Sequence, residues 1–216
     1  AWTVQFGTAG ADHSVAVAVT SQDRIVLAGQ TYGSLGAPYL GGGDAFVRNY
    51  RSNGTHRWTR QFGSTGSDGA SGVTVTDTNR IIIAGRVSGA LPGQTWRGAS
   101  DGFVRKMRGD GSTAWTRQFG SSLSDWARGV ASDAAGRIYV SGRIYVSSND
   151  ALLMKLWSNG NSAWIRRAGG NGVDDEGRGV AVDSKRHVNL VGMSNGPLGG
   201  QPWQGSYDAW IRKYRP

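Results

Sequence analysis

Residues 58–85 read WTRQFGSTGSDGASGVTVTDTNRIIIAG, and the same order of motifs occurs four times along the 216-residue chain. Each copy opens at a Trp, and the four starts are Trp2, Trp58, Trp115 and Trp164. An Asp follows ten residues after the Trp in the first three copies. The fourth copy has one inserted residue, so either Asp174 or Asp175 fills that position. A repeat of this kind predicts four copies of one supersecondary unit.

Each copy contains four short runs that are rich in Val, Ile and aromatic residues. In the second copy they are WTRQFG at 58–63, GVTV at 72–75, RIIIAG at 80–85 and DGFVRKM at 101–107. Gly, Asn, Asp and Ser separate the runs, which is the composition of strands joined by turns. No segment has a helical period of apolar residues. The sequence therefore predicts an all-β protein.

Four antiparallel strands in a unit of roughly 50 residues are typical of a propeller blade. With the GVTV-type run innermost, the WTRQF-type run is the outer strand. The chain then starts on an outer strand, residues 2–6, and ends on a third strand, residues 208–214. We predict a single domain over 1–216, a four-bladed β-propeller with four antiparallel strands per blade. Its ring is closed by the N-terminal strand, which completes the last blade.

The recurring motifs W-T-R-Q-F-G, S-D, G-V-A-V-D, R-I-Y-V-S-G and D-A-F-V-R-K resemble the bacterial β-propeller repeat family known as SBBP, across essentially the whole chain. The resemblance implies a propeller that is secreted or surface-associated. With four blades the chain also resembles hemopexin-like propellers, which are binding modules, and other small propellers that act as lectins. A shared fold does not fix the function, which has to be argued from a site.

Composition and charge exclude several classes of function. The chain has no Cys, which excludes a disulfide framework, a Cys-ligated metal site and a thiol nucleophile. Its apolar runs are a few residues long, so we expect no membrane insertion. The formal net charge of +9 predicts salt-dependent attraction to acidic polymers. A start at Ala1 without a basic and apolar leader favours a mature secreted or cell-surface protein.

Enzyme chemistry finds little support in the sequence. His13, His56 and His187 fall at different points of the repeat, and no HExxH, GxSxG or phosphate-loop pattern occurs. The segment 171–176, NGVDDE, concentrates oxygen ligands but lacks the spacing of a calcium loop, so an acidic turn is the favoured interpretation. We expect a non-catalytic protein without a cofactor or a metal site.

Three long loops between second and third strands carry an aromatic residue five positions before an Asp. The aromatic residues are Tyr39, Trp96 and Trp203, and the third repeat lacks the unit. An exposed aromatic face in a Gly-rich loop suits the C–H face of a sugar. The alternative is that these rings fold back over the ends of their blades. The pattern predicts three similar sites and no such site in the third repeat.

The repeated Asp at the start of each copy has two interpretations. It either accepts backbone N–H groups in a turn, which the fourfold repeat favours, or binds sugar hydroxyls on the same face as the loop aromatics. The candidate carbohydrate-binding set is therefore the three aromatics together with Asp12, Asp68, Asp125 and Asp174. The predicted function is a lectin with up to three sugar sites, whose partners are glycans.

A second function remains open because basic residues cluster on the third and outer strands. They either block pairing between strand edges or bind sulfated and acidic polymers or partner proteins, as a structural or adhesive scaffold would. Nucleic acid is not an expected partner, whereas a homo-oligomer remains open. We call this set the basic rim: Arg48, Arg51, Arg57, Arg60, Arg105, Lys106, Arg108, Arg117, Lys155, Arg166, Arg167, Arg212, Lys213 and Arg215.

Overall fold

The computed structural model describes residues 1–170 and 172–215. Within them the chain forms 15 strands in four antiparallel sheets, each of which we call a blade. Blade 1 contains β1 (Asp12–Val19), β2 (Ile25–Thr31), β3 (Asp44–Tyr50) and β4 (His56–Phe62). Blade 2 contains β5 (Gly69–Val75), β6 (Ile81–Val87), β7 (Asp101–Met107) and β8 (Thr113–Phe119). These strands confirm the predicted all-β class.

Blade 3 contains β9 (Trp126–Ser132), β10 (Ile138–Tyr145), β11 (Asn149–Leu156) and β12 (Ser162–Ala168). Blade 4 contains β13 (Asp175–Val182), β14 (Val188–Ser194) and β15 (Asp208–Tyr214). Strands follow one another in each sheet in chain order, and the first strands of successive blades contact each other. The GVTV-type runs are therefore innermost, as predicted. In the described part of the chain, no helix is long and apolar enough to cross a membrane.

Apolar side chains alternate along the middle strands, so each blade presents one apolar face to the blade before it and one to the blade after it. Ile82 and Val104 face blade 3, whereas Ile81, Ile83 and Phe103 face blade 1. All five are buried. The core is therefore a series of clusters between blades, and each blade depends on its neighbours for burial.

The predicted closure of a four-bladed ring is wrong. Blade 4 has three strands among the described residues, and residues 2–6 form no strand and do not pair with β15. Phe6 packs instead on Phe46 and Tyr50 of blade 1. The outer faces at both ends are open: Val17 is 63% exposed and Ile211 72%. Because the outer faces of β1 and β15 are exposed and no sheet joins blade 4 to blade 1 among the described residues, the sheets form an open array, as in a larger propeller.

Candidate functional site

Three loops on one end of the blades are closed by the same hydrogen bond. The residue after the loop aromatic donates its backbone N–H to the first Asp of the third strand. The bonds are Leu40 N to Asp44 Oδ2 at 3.0 Å, Arg97 N to Asp101 Oδ2 at 3.0 Å, and Gln204 N to Asp208 Oδ2 at 2.7 Å. Asp accepts such bonds readily because its short carboxylate reaches the backbone of nearby residues. The repeated Asp therefore fixes the position of each aromatic residue.

A glutamine from the outer strand completes two of these loops. Gln61 donates to Asp44 Oδ2 at 2.7 Å and to Gly33 O at 3.0 Å, and it accepts bonds from Leu35 N and Gly36 N. Gln118 makes the corresponding bonds to Asp101 Oδ2 and Gly89 O in blade 2. The amide thus ties the outer strand, the loop and the third strand together.

The aromatic rings of these loops are partly open to solvent. Tyr39 is 37% exposed, Trp96 47% and Trp203 46%. Trp203 Nε1 donates to Ser206 O at 3.4 Å within its own loop. The third repeat has a short turn in this place, closed by a bond from Val146 N to Ser148 O. The three loops therefore present aromatic surface on a rigid closure, and blade 3 has no counterpart.

The repeated Asp residues at the blade junctions bind the backbone of their own chain. Asp68 is wholly buried and accepts bonds from Ser64 N and, at 2.8 Å, from Ser88 N. Asp125 accepts from Ser121 N and from Tyr145 N in the same way. Burial raises the pKa of Asp68, and the nearby charge of Asp44 adds to that increase, although its hydrogen bonds act against it.

The first and last copies differ from this pattern. Burial tends to raise the pKa of Asp12, but bonds from Thr31 and Thr8 outweigh it and lower the pKa. In the fourth copy the repeat position is filled by Asp175, which is buried and accepts a bond from Gly170 N at 3.0 Å. Asp174 instead accepts a 2.8 Å bond from Asn149 Nδ2. Part of the acidic segment 171–176 lies outside the described residues, because Asn171 is not among them.

An arginine cluster on the inner strands was missed by the sequence analysis. Arg86, Arg128 and Arg143 lie with their guanidinium carbons 4.8, 4.0 and 3.9 Å from the ring centroid of Trp126. An open pocket of about 400 Å³ lies beside this ring. It is lined by Arg86, Trp126, Arg128 and Arg178, together with Gln30 and residues of β5. We call Arg86, Arg128, Arg143, Arg178 and Trp126 the arginine pocket.

The arginine pocket has an excess of positive charge. Arg128 and Arg178 share the buried carboxylate of Glu176, and the contact from Arg178 Nε measures 2.9 Å. Among the described residues, no carboxylate forms an ion pair with Arg86 or Arg143, and Arg143 Nε is buried without a hydrogen-bond partner. Burial lowers the pKa of Arg128, and Glu176 opposes that effect.

A sequence signal for this pocket exists in the alignment of the four copies. Position 128 corresponds to Val15, Ser71 and Arg178 in the other copies, and position 86 corresponds to Gln30, Arg143 and Met193. The residues at these two positions differ between copies although the surrounding motif is the same. A search for shared motifs therefore overlooks them. These positions are next to the repeated Asp and Gly, at the end of the blade that carries the long loops.

Several residues of the basic rim pack on aromatic rings between blades. Arg48 lies 4.3 Å from the Phe6 ring centroid, and Arg105, which is buried, lies 3.7 Å from that of Phe62. Burial lowers the pKa of Arg105 to about 10. Arg60 and Arg117 lie over the Trp residues of their own strands. These guanidinium groups therefore stabilise contacts between outer strands and the blades that follow.

The described residues contain no group of three or more His, Cys, Asp or Glu that could hold a metal ion. His187 lies close to a carboxylate, with Nδ1 at 2.8 Å from Asp183 Oδ2, at the turn between β13 and β14. Burial tends to raise the pKa of Asp183, but bonds from His187 and Lys213 outweigh it and lower the pKa to about 2. This contact lies at the end of the blade opposite the long loops.

Comparison with known proteins supports the fold. The sequence profile of the SBBP beta-propeller repeat matches residues 114–148 and 163–199. Each of these two segments is an SBBP β-propeller repeat. No curated protein sequence matches it. A protein of unknown function from Dyadobacter fermentans is similar in structure, with a TM-score of 0.60, 16% identity, and coverage of 94% of this chain and 66% of that one. At this identity the similarity concerns the fold alone.

A gluconolactonase from Xanthomonas campestris is a more distant structural match. Its TM-score is 0.47 at 14% identity, and the match covers 82% of this chain and 52% of that one. The chain of 216 residues therefore spans less than two thirds of the length of both solved structures. The two profile matches fall on β8 to β10 and β12 to β14, so they cross blade boundaries in the way that the repeat motif does.

Proposed function

We propose that this SBBP-repeat chain is a non-catalytic carbohydrate-binding protein, secreted or held at a cell surface. One observation carries the proposal: Tyr39, Trp96 and Trp203 are exposed on loops that share one closing bond to an Asp carboxylate. A rigidly held aromatic face provides apolar area for the C–H face of a sugar at little entropic cost. Three such faces on one end of the molecule would gain avidity on a multivalent glycan.

In this proposal the repeated Asp residues hold the loops in position by hydrogen bonds to backbone groups. Asp68 and Asp125 are wholly buried and hold the junction loops by backbone bonds. Asp44, Asp101 and Asp208 hold the aromatic loops. Hydrogen bonds to sugar hydroxyls would then come from exposed loop groups such as the side chain of Gln204.

The test is a glycan array of neutral and sulfated sugars, probed at low and at physiological salt. Trp96→Ala and Trp203→Ala should each weaken binding to a neutral sugar at least about tenfold, because stacking on an aromatic ring is lost. Stability should fall by less than about 1 kcal/mol, since both side chains are half exposed. Binding unchanged in both variants would rule out the loop aromatics as the site.

Trp157→Ala is the matched control for these variants. Trp157 is as exposed as Trp96, but it lies in the turn between β11 and β12, at the opposite end of its blade. Its loss should leave sugar binding unchanged. An equal effect from all three Trp variants would indicate that general apolar surface, and not the loop site, holds the glycan.

Binding of an acidic ligand is a second candidate function, which the arginine pocket favours. Arg86, Arg128 and Arg178 line the cavity, and only Arg128 and Arg178 contact the carboxylate of Glu176. Arg143 lies on the same Trp126 ring, and its Nε is a buried donor without a partner. The planar guanidinium fork pairs with carboxylate and sulfate groups, and Trp126 offers a ring beside them. The ligand class is a sugar unit that carries a carboxylate or a sulfate.

Titration with an oligogalacturonate and with a sulfated oligosaccharide tests this candidate. Arg86→Gln and Arg143→Gln should each weaken binding by about tenfold, and rising salt should weaken it further. Arg108→Gln, in the exposed turn after β7, is the control for charge alone. Equal losses from Arg86→Gln and Arg108→Gln would assign the binding to overall charge. If Trp96→Ala loses binding of the acidic oligosaccharide instead, the ligand binds at the loop aromatics and not in the arginine pocket.

A further inference from the structure

A cavity of about 270 Å³ lies between blades 2 and 3, at the end of the molecule opposite the long loops. The turn that joins β5 to β6 forms one wall, and the turn that joins β9 to β10 forms the other. Lys106 of β7 and Ser158, in the turn after β11, also line it. We call this space the turn cavity. Blades 2 and 3 each have a neighbour on both sides, so the turn cavity belongs to the interior of the blade series.

The turn cavity exists because one contact between neighbouring blades is missing there. At the junction of blades 1 and 2, the backbone N–H and the hydroxyl of Ser21 both donate to Asn79 Oδ1 at 3.1 Å. At the junction of blades 2 and 3, the residues at the same two repeat positions are Asp77 and Gly136. Gly136 has no side chain that could accept such a bond, so the space between the two turns stays open.

Arg80 lines the turn cavity, and no carboxylate neutralises it. In blade 3 the corresponding turn begins with Asp133, whose Oδ2 lies 2.6 Å from Arg137 Nε. In blade 2 Thr76 takes the place of that Asp, and its hydroxyl accepts the backbone N–H of Arg80 at 3.1 Å. The exchange of Asp for Thr keeps the turn and removes the carboxylate. Among the described residues, no ion pair involves Arg80.

Lys106 adds a second positive charge to the same cavity. Its Nζ donates to Ser158 O at 2.9 Å, across the junction of the blades, which holds the ammonium group and leaves two N–H groups for a ligand. In the part of the chain that the structure describes, Lys106 forms no ion pair either. Burial lowers the pKa of Lys106, and the nearby charge of Arg80 lowers it further. An anion bound between the two cations would relieve that repulsion.

Asp77 also lines the turn cavity, and its side chain is exposed. A carboxylate beside two cations distinguishes between tetrahedral oxyanions. A phosphate monoester has a second pKa of about 6, so near neutral pH part of it keeps a proton that the carboxylate can accept in a hydrogen bond. A sulfate ester carries no such proton, and the charge of Asp77 repels it. The cavity therefore combines attraction for an anion with a preference for one that can donate.

We propose that the turn cavity binds a phosphate monoester. Arg80 and Lys106 hold the phosphate oxygens by charge-assisted hydrogen bonds, and Asp77 accepts the hydrogen bond of the phosphate proton. The cavity is slightly smaller than the range of about 300–1,000 Å³ that is usual for small-molecule sites, which suits a small ligand such as a phosphorylated monosaccharide. The loop aromatics and the arginine pocket lie at the other end of the molecule, so this proposal is independent of the proposed carbohydrate binding there.

Titration of the isotope-labelled chain with glucose 6-phosphate, followed by NMR at low salt and about pH 6, tests the proposal. Saturable shifts are expected at the backbone amides of residues 76–80 and 134–136. Arg80→Gln and Lys106→Gln should each weaken binding at least about tenfold, because each removes a charge-assisted contact. Both side chains are partly exposed, so the fold should persist, which circular dichroism checks. Shifts that do not saturate, or that occur only at the loop end, would overturn the proposal.

Arg24→Gln is the matched control for charge. Arg24 occupies the position of Arg80 in blade 1, where the bond between Ser21 and Asn79 closes the junction. Among the described residues Arg24 also forms no ion pair, so the two variants lose an equally unpaired charge. Arg24→Gln should bind glucose 6-phosphate as the native chain does. Equal losses from Arg24→Gln and Arg80→Gln would assign binding to the overall charge and reject the cavity.

Gly136→Asn tests the cavity without changing any charge. Gly136 has a φ of 71°, close to the 56° of Asn79 at the same repeat position, so the backbone accepts Asn. The nearest atom to an added Cβ, outside adjoining residues, is Ser158 Cβ at 3.7 Å. The new side chain should occupy the cavity and weaken binding at least about fivefold, with the melting temperature unchanged. Native affinity in this variant would show that the phosphate binds elsewhere.

Glucose 6-sulfate tests the part assigned to Asp77. The native chain should prefer the phosphate over the sulfate by about tenfold or more, since a site that accepts a proton leaves the sulfate repelled. In Asp77→Asn the preference should fall to about twofold or less, because the amide neither repels the sulfate nor requires a donor. A native chain that binds both esters equally, or an unchanged preference in Asp77→Asn, would contradict the selection of a protonated phosphate.

Discussion

At the scale of single residues, buried carboxylates organise the loop end of the molecule. Asp44, Asp68, Asp101 and Asp125 are wholly buried, and hydrogen bonds from loop backbone groups or glutamine amides reach each of them. A buried ionised group is tolerated only when such bonds replace its hydration. The pattern explains why Asp recurs at two positions of the repeat while surface residues vary freely.

We expect Asp68→Asn to lower the free energy of unfolding by about 2 kcal/mol. Both carboxylate oxygens of Asp68 accept a backbone N–H, so an amide nitrogen would face a donor in either orientation. Chemical denaturation of both chains measures the difference. Asp77→Asn, at an exposed turn position, is the control and should change stability by less than about 0.5 kcal/mol. Equal stability of the two variants would contradict the assigned role.

Asp183 should make the stability of blade 4 sensitive to acid. Its pKa is lowered from 3.8 to about 2 in the folded chain, with bonds from His187 and Lys213 outweighing burial. The folded state therefore holds the charged form more strongly than the unfolded state does. The stabilisation is present above pH 3.8 and is lost as the pH falls towards 2.

A carboxyl NMR titration of Asp183 measures this pKa directly. The difference in unfolding free energy between the native chain and Asp183→Asn should shrink as the pH falls from 3.8 towards 2. A titration midpoint near 3.8, with the same stability difference at all pH values, would show that the contacts to His187 and Lys213 are not formed in solution.

At the scale of strands, glycine sets the distance between the first two strands of each blade. A bulge shifts the register of β5 between Ala70 and Gly72, and this brings the carbonyl of Gly69 towards Gly85. A Cβ atom on Gly85 would lie 2.1 Å from that oxygen. The Gly that ends every RIIIAG-type run is therefore required by the bulge next to it.

Gly85→Ala should destabilise the fold by about 3 kcal/mol or more, because backbone of either strand has to move. Gly109→Ala is the control: the nearest atom to its added Cβ, outside adjoining residues, lies 3.8 Å away. Thermal unfolding should separate the two variants clearly. Similar melting temperatures for both would mean that the bulge adjusts without cost.

At the scale of the whole molecule, the blades form an open series that is held by contacts between neighbours. Trp58 is buried against blade 2, whereas Trp2 has only blade 1 beneath it and remains half exposed. Blades at the ends of such a series have one neighbour and are the least stabilised. Contacts between neighbouring blades therefore determine how strongly each blade is stabilised.

Trp58→Ala should cost about 3 kcal/mol, because it leaves a cavity between blades 1 and 2. Trp2→Ala should cost less than about 1 kcal/mol, because the Trp2 side chain is half exposed. The ratio of the stability losses in Trp58→Ala and Trp2→Ala indicates whether Trp2 is enclosed between two blades as Trp58 is. Equal losses would indicate that Trp2 is enclosed between two blades of the same chain, as in a closed ring.

The sequence by itself determined the repeat, the strand order within each blade and the position of the long loops. These features follow from local rules: period-two burial, turn residues between strands and motifs repeated at fixed spacing. The strands of blade 2 agree with the runs that begin at Gly72, Arg80 and Asp101 to within a few residues. The place of Tyr39, Trp96 and Trp203 on loops could be predicted for the same reason.

Only the tertiary structure decided whether the ring closes and which inner residues meet. Closure depends on the angle between successive blades, which is set by side-chain packing between them and leaves no periodic signal in the sequence. The phase match between residues 2–6 and β15 reflects the order of the repeat motifs, which does not decide whether the two segments pair. The arginine pocket likewise joins Arg86, Arg128 and Arg178 from three blades, and only packing brings such distant positions around one ring.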